Sequence, residues 1–335
     1  MPGVPRCSRI QHVSLVIPVR DESRTIGELL TSIRGQTKPP DEIIFVDGGS
    51  TDATVGYLRA AAAEDARIRL IETEGATPGR GRNVGIAAAS YDWIALTDAG
   101  IRLEPSWLEH LVAAVDCDPT VAVVFGNYEP ITDTFFESCA ATAYVEPPHP
   151  TPMGQIRGPS IASCLLKRGV WKMAEGFPDV RASEDLIFIE RVQSQGAVIA
   201  WAPTAIVWWR LRPTLYETFR RFVSYSKHNV WAGRQRYWHY GIARQYVGAV
   251  AILALAALQS RWWLAALVVA IMLRTGKTIW RHRQGRRLLW LFNPVRFVLV
   301  GVILATVDLA TFIGWAQALG RHGSEAQIDR TAVRD

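Results

Sequence analysis

Apolar residues follow two different rhythms along this chain. Up to about residue 210, short β-rich runs alternate with amphipathic stretches. Residues 12–19 read HVSLVIPV, 42–46 EIIFV, 68–71 IRLI and 93–97 WIALT, each of a length that suits a buried strand. Ser23 is placed to cap a helix running to about Arg34, with Ile26, Leu29, Leu30 and Ile33 on one face. Further helices are predicted from about Thr51, over 79–89 and over 105–115. Strands are predicted at 121–125 and 161–166, and a helix that opens with acids at 183–195. Strands alternating with helices in units of this size predict an α/β domain, a mostly parallel sheet covered on both faces. Ligands of such sheets bind beyond the carboxyl ends of the strands, so chemistry is expected just after them. Residues 127–159, with Pro147, Pro148, Pro150 and Pro152, read as an irregular excursion, either a loop over a site or plain surface.

Beyond residue 245 the rhythm changes. Residues 246–258 are apolar, Gln259-Ser260-Arg261 interrupts, 262–273 are apolar again, and 297–319 form a stretch long enough to cross a bilayer. One helix through Arg261 would bury a charge at a cost of roughly 2.5 kcal/mol or more. A hairpin turning at Ser260 is therefore favoured, with re-entrant or interfacial helices as the alternative. The expected organisation is a catalytic domain over 1–210 and basic, aromatic membrane-proximal helices over 211–245. Membrane helices follow at about 246–259, 262–280 and 297–319, then a flexible tail over 321–335.

Composition sharpens this division. Of 335 residues 49% are apolar and 20% charged, which excludes a disordered chain. The net charge of +6 is uneven: between 208 and 287 arginines and lysines crowd together and Glu217 is the sole acid. These cations flank tryptophan-rich apolar runs (Trp208, Trp209, Trp231, Trp238, Trp262, Trp263), which points to an anionic membrane surface rather than nucleic acid. The hairpin returns the basic segment 281–287 to the side of the front domain. The positive-inside rule makes that side cytoplasmic, so the expectation is a multi-pass protein of the cytoplasmic membrane. No apolar signal core precedes the first strand, and Cys7, Cys117, Cys139 and Cys164 form no CxxC pair, as in a reduced compartment. His149, His228 and His239 lack metal-ligand spacing.

Four segments carry candidate chemistry. They are Ile17-Pro18-Val19-Arg20-Asp21-Glu22, then Asp47-Gly48-Gly49-Ser50, then Arg80-Gly81-Arg82-Asn83 with Thr97-Asp98-Ala99-Gly100, and finally Ser183-Glu184-Asp185. In this order and spacing they resemble the family 2 glycosyltransferases, which have the GT-A fold. The resemblance covers about residues 13–203. It implies a nucleotide-diphosphate-sugar donor, with Pro18, Val19, Arg20, Glu22, Asp47 and Gly49 around the nucleoside, and Arg82, Asn83 and Asp98 also in that site. Asp98 corresponds to the first Asp of the family's DXD motif, implying Mg²⁺ or Mn²⁺, although Gly100 replaces the second Asp. Asp185 is the implied catalytic base of an inverting transfer, with Glu184 and Trp208 as supporting or acceptor-site residues.

Each of these residues also has a plainer reading. Asp47 suits a turn that bonds its own backbone; Arg80 and Arg82 suit a solvated helix face; Ser183, Glu184 and Asp185 suit a helix N-terminus. A processive synthase of this family would carry Gln-x-x-Arg-Trp, which Gln235-Arg236-Tyr237-Trp238 does not match. Transfer of single sugars to a lipid-linked or membrane-delivered acceptor is thus expected. Polyprenyl phosphate as the acceptor and an inactive scaffold of the same fold are the alternatives. A sugar nucleotidyltransferase would need a glycine-rich loop where Val19-Arg20-Asp21-Glu22 stands.

Overall fold

A computed structural model describes residues 10–320 except Met153 and Gln284, so the expected tail at 321–335 and Cys7 lie outside the described residues. The chain divides into two compact units, Met1–Glu129 with Pro148–Arg210, and Pro130–Pro147 with Leu211–Asp335.

The first unit is built on β1 (Val13–Val19), α1 (Ile26–Arg34), β2 (Glu42–Asp47), α2 (Thr54–Glu64), β3 (Ile68–Glu72), α3 (Pro78–Ala88), β4 (Trp93–Leu96), β5 (Ile101–Leu103) and α4 (Trp107–Cys117). β6 (Val123–Ile131) then leads into the second unit's α5 (Phe135–Tyr144). The chain returns through β7 (His149–Thr151), β8 (Gly154–Ile156), β9 (Cys164–Lys167), α6 (Arg168–Met173), α7 (Glu184–Ser194) and β10 (Ile199–Arg210). Eight strands form one sheet in the order β3-β2-β1-β4-β9-β6-β10-β5. β1 pairs parallel with β2 and β4, and β2 with β3, while β9 runs antiparallel to β4 and β6. This is the GT-A arrangement, a mostly parallel centre with antiparallel strands on one side.

Alternation along β1 shows why both faces are covered. Val13, Leu15, Ile17 and Val19 join Leu29, Leu58 and Leu111 in one cluster, while Val16 joins Ile86, Val170 and Phe188 in another. A central parallel strand buried on both sides needs this near-continuous apolar run. Because β1, β2 and β4 are parallel, their carboxyl ends share one edge, and Arg20, Asp47 and Asp98 lie at or just beyond it.

Local differences from the sequence reading have local causes. α1 begins at Ile26 rather than at a Ser23 cap, because the Ser23 amide donates to Asp52 Oδ2 at 3.0 Å. Residues 161–163 form a 3₁₀ turn, and the strand starts only at Cys164. The excursion at 127–159 holds α5, opened by a Thr134–Glu137 capping box, and the β7–β8 hairpin.

The second unit contains α5, α8 (Leu215–Trp231), α9 (His239–Leu258), α10 (Trp263–Arg281), α11 (Leu288–Leu291) and α12 (Pro294–Gly320). Among the described residues α9, α10 and α12 are long and apolar enough to cross a membrane. α9 starts seven residues ahead of the apolar run, since helix propagation continues through 239–245 once nucleated, and it reaches 20 residues. α9 and α10 show their apolar side chains outward almost all round, whereas α12 is partly covered by α5 and α8. One ionic group joins three of these helices. Arg274 of α10 forks onto Asp308 of α12 (Nη2 to Oδ1 2.9 Å), and Tyr246 of α9 donates to Asp308 Oδ2 at 3.0 Å.

Gly314 sets the approach of α8 to α12. A Cβ there would stand 2.4 Å from the Val223 carbonyl oxygen and 2.7 Å from Ser226 Cβ. Both obstacles belong to a packed helix, so Gly314→Ala is expected to force the pair apart at a cost of about 1–3 kcal/mol. The thermal midpoint of the full chain in detergent should fall, and an unchanged midpoint would contradict this packing.

Candidate functional site

Arg82 is the centre of the site. It lies in the second turn of α3, whose start is fixed by Thr77: the Arg80 amide donates to Thr77 Oγ1, and Pro78 occupies the first turn. The Arg82 side chain is buried; Nη2 donates to Asp98 Oδ1 at 2.7 Å and Nη1 to Glu184 Oε1 at 3.0 Å. Its guanidinium also lies over the Phe177 ring, 5.4 Å from the centroid. One residue thereby joins α3, the end of β4 and the start of α7.

Burial alone would favour a neutral Arg82, but Asp98, Glu184 and Asp185 together outweigh it and keep the guanidinium firmly charged. Glu184 behaves differently. Its burial, reinforced by repulsion from Asp185, holds its carboxyl above the usual range despite the attraction of Arg82.

The loop before α7 is clamped onto α3. Asn83 Oδ1 accepts from the Phe177 amide at 2.8 Å and from Trp171 Nε1 at 2.9 Å, while its Nδ2 donates to the Phe177 carbonyl at 2.8 Å. Thr77 Oγ1 donates to Asp179 Oδ1 at 2.5 Å, and Phe177 stacks on Phe188 at 4.0 Å. A Cβ on Gly79 would stand 2.4 Å from the Pro178 carbonyl, so only glycine lets the loop pass this close. The chain then enters α7 through Ser183, held at φ +67°. That left-handed conformation costs a non-glycine residue about 1–3 kcal/mol and turns the next two side chains into the site. Glu184 is consumed by Arg82. Asp185 is half-buried; its Oδ1 accepts from the Leu186 amide at 2.8 Å, and among the described residues its Oδ2 makes no hydrogen bond.

The ends of β1 and β2 make a second, adjoining part. Asp47 takes the turn geometry: Oδ2 accepts from the Gly49 and Ser50 amides, each at 2.9 Å, and Oδ1 from Ser50 Oγ at 2.5 Å. Asp21, at φ +54°, accepts from the Thr51 amide at 2.8 Å and so ties the β1 end to the same turn. Pro18 and Val19 finish β1, and Arg20 is exposed, 3.7 Å from Asp21. Glu22 accepts from Thr25 Oγ1 at 2.5 Å, and its Oε2 lies 3.5 Å from where a Cβ on Gly100 would be. A carboxylate thus stands beside the position where the resemblance leads one to expect the second Asp.

Among the described residues no group of three or more His, Cys, Asp or Glu is arranged to hold a metal ion. Among the described residues nothing hydrogen-bonds Asp98 Oδ2, and the Asp98 side chain is 45% exposed. That fits a divalent ion held by one carboxylate, substrate phosphates and water.

The structure therefore brings Arg82, Asp98, Glu184 and Asp185 together, with Pro18, Val19, Glu22, Asp47 and Gly49 along the neighbouring strand ends. Two expected ligand contacts are otherwise engaged: Arg82 spends both terminal nitrogens on carboxylates, and Asn83 acts as a clasp. Trp208, half-buried in β10, donates to Glu104 Oε2 at 2.9 Å and packs on Arg102, with no contact to the Arg82 group. Phe177, Asp179 and Trp171 escape the sequence reading; the Gly176-Phe177-Pro178-Asp179 turn just ahead of Ser183 is the signal that marks them.

Known proteins share this architecture. Residues 14–160 match the model described as Glycosyl transferase family 2. The pre-mycofactocin glycosyltransferase of Mycobacterium tuberculosis is 28% identical over 218 residues, 62% of this chain and 44% of that protein. The glycosyltransferase AglE of Haloferax volcanii is 34% identical over 125 residues, 36% of this chain and 41% of that protein. The chain thus spans less than half the length of these curated relatives. Among solved structures, the mannosyltransferase PcManGT of Pyrobaculum calidifontis, in complex with GDP-Man and Mn²⁺, has a TM-score of 0.61 at 21% identity, covering 90% of this chain and 87% of that one. Fold, site order and family match converge: residues 14–160 match the glycosyl transferase family 2 model, the first unit has the GT-A fold, and three helices long and apolar enough to span a membrane follow it.

Proposed function

We propose that this protein transfers a single sugar, with inversion, from a nucleotide-diphosphate sugar to a lipid-linked or membrane-delivered acceptor in the synthesis of cell-envelope glycan or glycolipid. The observation that carries this is the pairing of an engaged and an open carboxylate at the start of α7. Glu184 is locked to Arg82, and Asp185 keeps an unbonded oxygen at the same edge as Asp98.

In this reading the ends of β1 and β2 receive the nucleoside, with Asp47 and its turn as the wall and Arg20 and Glu22 at the rim. The donor's diphosphate lies toward Asp98. A bound Mg²⁺ or Mn²⁺ would neutralise charge on the departing diphosphate, and Asp98 Oδ2 is the protein atom placed to hold it. Arg82 fixes the orientation of Asp98 and Glu184. Asp185 takes the acceptor hydroxyl's proton as its oxygen attacks the anomeric carbon; the bond from that carbon to the diphosphate oxygen breaks on the opposite side. α9, α10 and α12 hold the enzyme in the cytoplasmic membrane, with the domain and the 281–287 arginines on the cytoplasmic side.

The test is donor binding and turnover by the full chain in detergent, across a panel of nucleotide sugars with Mg²⁺, Mn²⁺ or EDTA. GDP-mannose heads the panel because the Pyrobaculum neighbour is in complex with it. One donor should bind in a metal-dependent way, Asp98→Asn should weaken it about tenfold or more, and an α-linked donor should give a β-linked product. If no donor binds with any metal, the enzyme reading fails and a scaffold role replaces it.

A further inference from the structure

Arg296, in the first turn of α12, is a buried guanidinium that lacks an anion. It is 6% exposed, and among the described residues no ion pair joins it to a carboxylate. Nη1 donates to Ser138 Oγ of α5 at 3.1 Å, but among the described residues Nε is buried with no partner and Nη2 makes no hydrogen bond. The groups acting on it electrostatically are the Cys139 thiol and, with like sign, Arg286. Two rings hold its plane: the Phe135 centroid lies 5.1 Å and the Trp290 centroid 4.5 Å from the guanidinium carbon. Arg286 lies over Trp290 as well, at 5.2 Å, so two cations share one ring. Two other carboxylates of the second unit are already matched, Glu146 with Arg281 at 3.0 Å and Asp308 with Arg274.

A buried cation that faces another cation is unfavourable unless an anion completes the site. The unpaired Nε–Nη2 edge is the fork that matches two oxygens of a phosphate. The source of that phosphate is indicated by its surroundings. Arg296 stands at the start of apolar α12, beside Trp290, whose ring Arg286 also covers, and Arg283 lies over Trp280 at the end of apolar α10. Tryptophans and arginines at the ends of bilayer-length helices mark headgroup depth.

We propose that Arg296 and Arg286, with Ser138 and the Trp290 ring, form a binding site for the phosphate headgroup of a membrane lipid. It rests on the membrane reading of α9, α10 and α12 and is independent of the donor site.

The full chain in maltoside micelles would be titrated by calorimetry with dodecyl phosphate, dodecanol and inorganic phosphate. Dodecyl phosphate should bind saturably, dodecanol not at all, and inorganic phosphate about tenfold more weakly or worse. Arg296→Gln should weaken dodecyl phosphate about tenfold, and Arg296→Lys nearly as much because lysine lacks the two-nitrogen edge. Arg286→Gln alters an exposed side chain, so it cannot act through misfolding; it should weaken binding about threefold. Unchanged affinity in both glutamine variants overturns the site, and inorganic phosphate binding as tightly as dodecyl phosphate overturns the lipid assignment. Flotation of the wild type with neutral phosphatidylcholine vesicles separates the two readings. A chain that floats but binds no dodecyl phosphate refutes this site alone, and a chain that does not float refutes the membrane reading beneath it.

Discussion

Asp185→Asn is expected to lower turnover about 10²- to 10⁴-fold while donor affinity stays within about twofold. The amide keeps the size of the side chain and its oxygen for the Leu186 amide, so the start of α7 is preserved. It cannot accept a proton. Glu184 cannot substitute, because it is buried and bound to Arg82. Single-turnover assays beside equilibrium donor binding would check the split. Equal losses in binding and turnover would instead assign Asp185 to holding the donor. Near wild-type turnover would favour an acceptor that is already an anion, such as a polyprenyl phosphate, which needs no base.

Arg82→Met is expected to destabilise the first unit strongly. Removing one member of a buried ionic group typically costs about 3–5 kcal/mol, because the remaining charge is left without compensation. The low end applies here: the Asp98 side chain is 45% exposed and rehydrates readily, whereas that of Glu184 is 10% exposed and cannot. The loss should depend on pH. Without Arg82, burial and Asp185 push the Glu184 carboxyl still further above its ordinary value. The folded variant then binds more protons than the unfolded chain, so its stability falls as pH rises through the folded pKa. Urea unfolding of the full chain in detergent should show a larger deficit at pH 8 than at pH 5.5. An equal deficit at both would mean that Glu184 finds another partner.

Much of this fold is legible in the sequence because central strands are continuous apolar runs. The segments at 12–19 and 42–46 stand out for that reason, and the strands form there. α5 is harder to see, since the prolines at 147–152 dominate the region and the Thr134-x-x-Glu137 signature beside them is short. For the site, the order of the acidic segments places Asp98, Glu184 and Asp185 near strand ends and a helix start. Partner choice is another matter. Nothing local to Arg82 marks it as the partner of Glu184, 102 residues away, instead of a solvated helix face. The same holds for Asn83, which becomes a clasp because residues 171–177 fold back onto it.

The Arg274–Asp308 pair also constrains how the chain is made. Arg274 precedes Asp308 by 34 residues, so in the membrane reading proposed above α10 enters the bilayer carrying a guanidinium whose counter-charge follows it in the chain. An arginine at mid-membrane depth disfavours insertion by about 2.5–3.5 kcal/mol. On that reading α9 and α10 are only provisionally seated until α12 joins them. On that reading a chain cut short after α10 would keep its apolar length yet lack the counter-charge that secures α10.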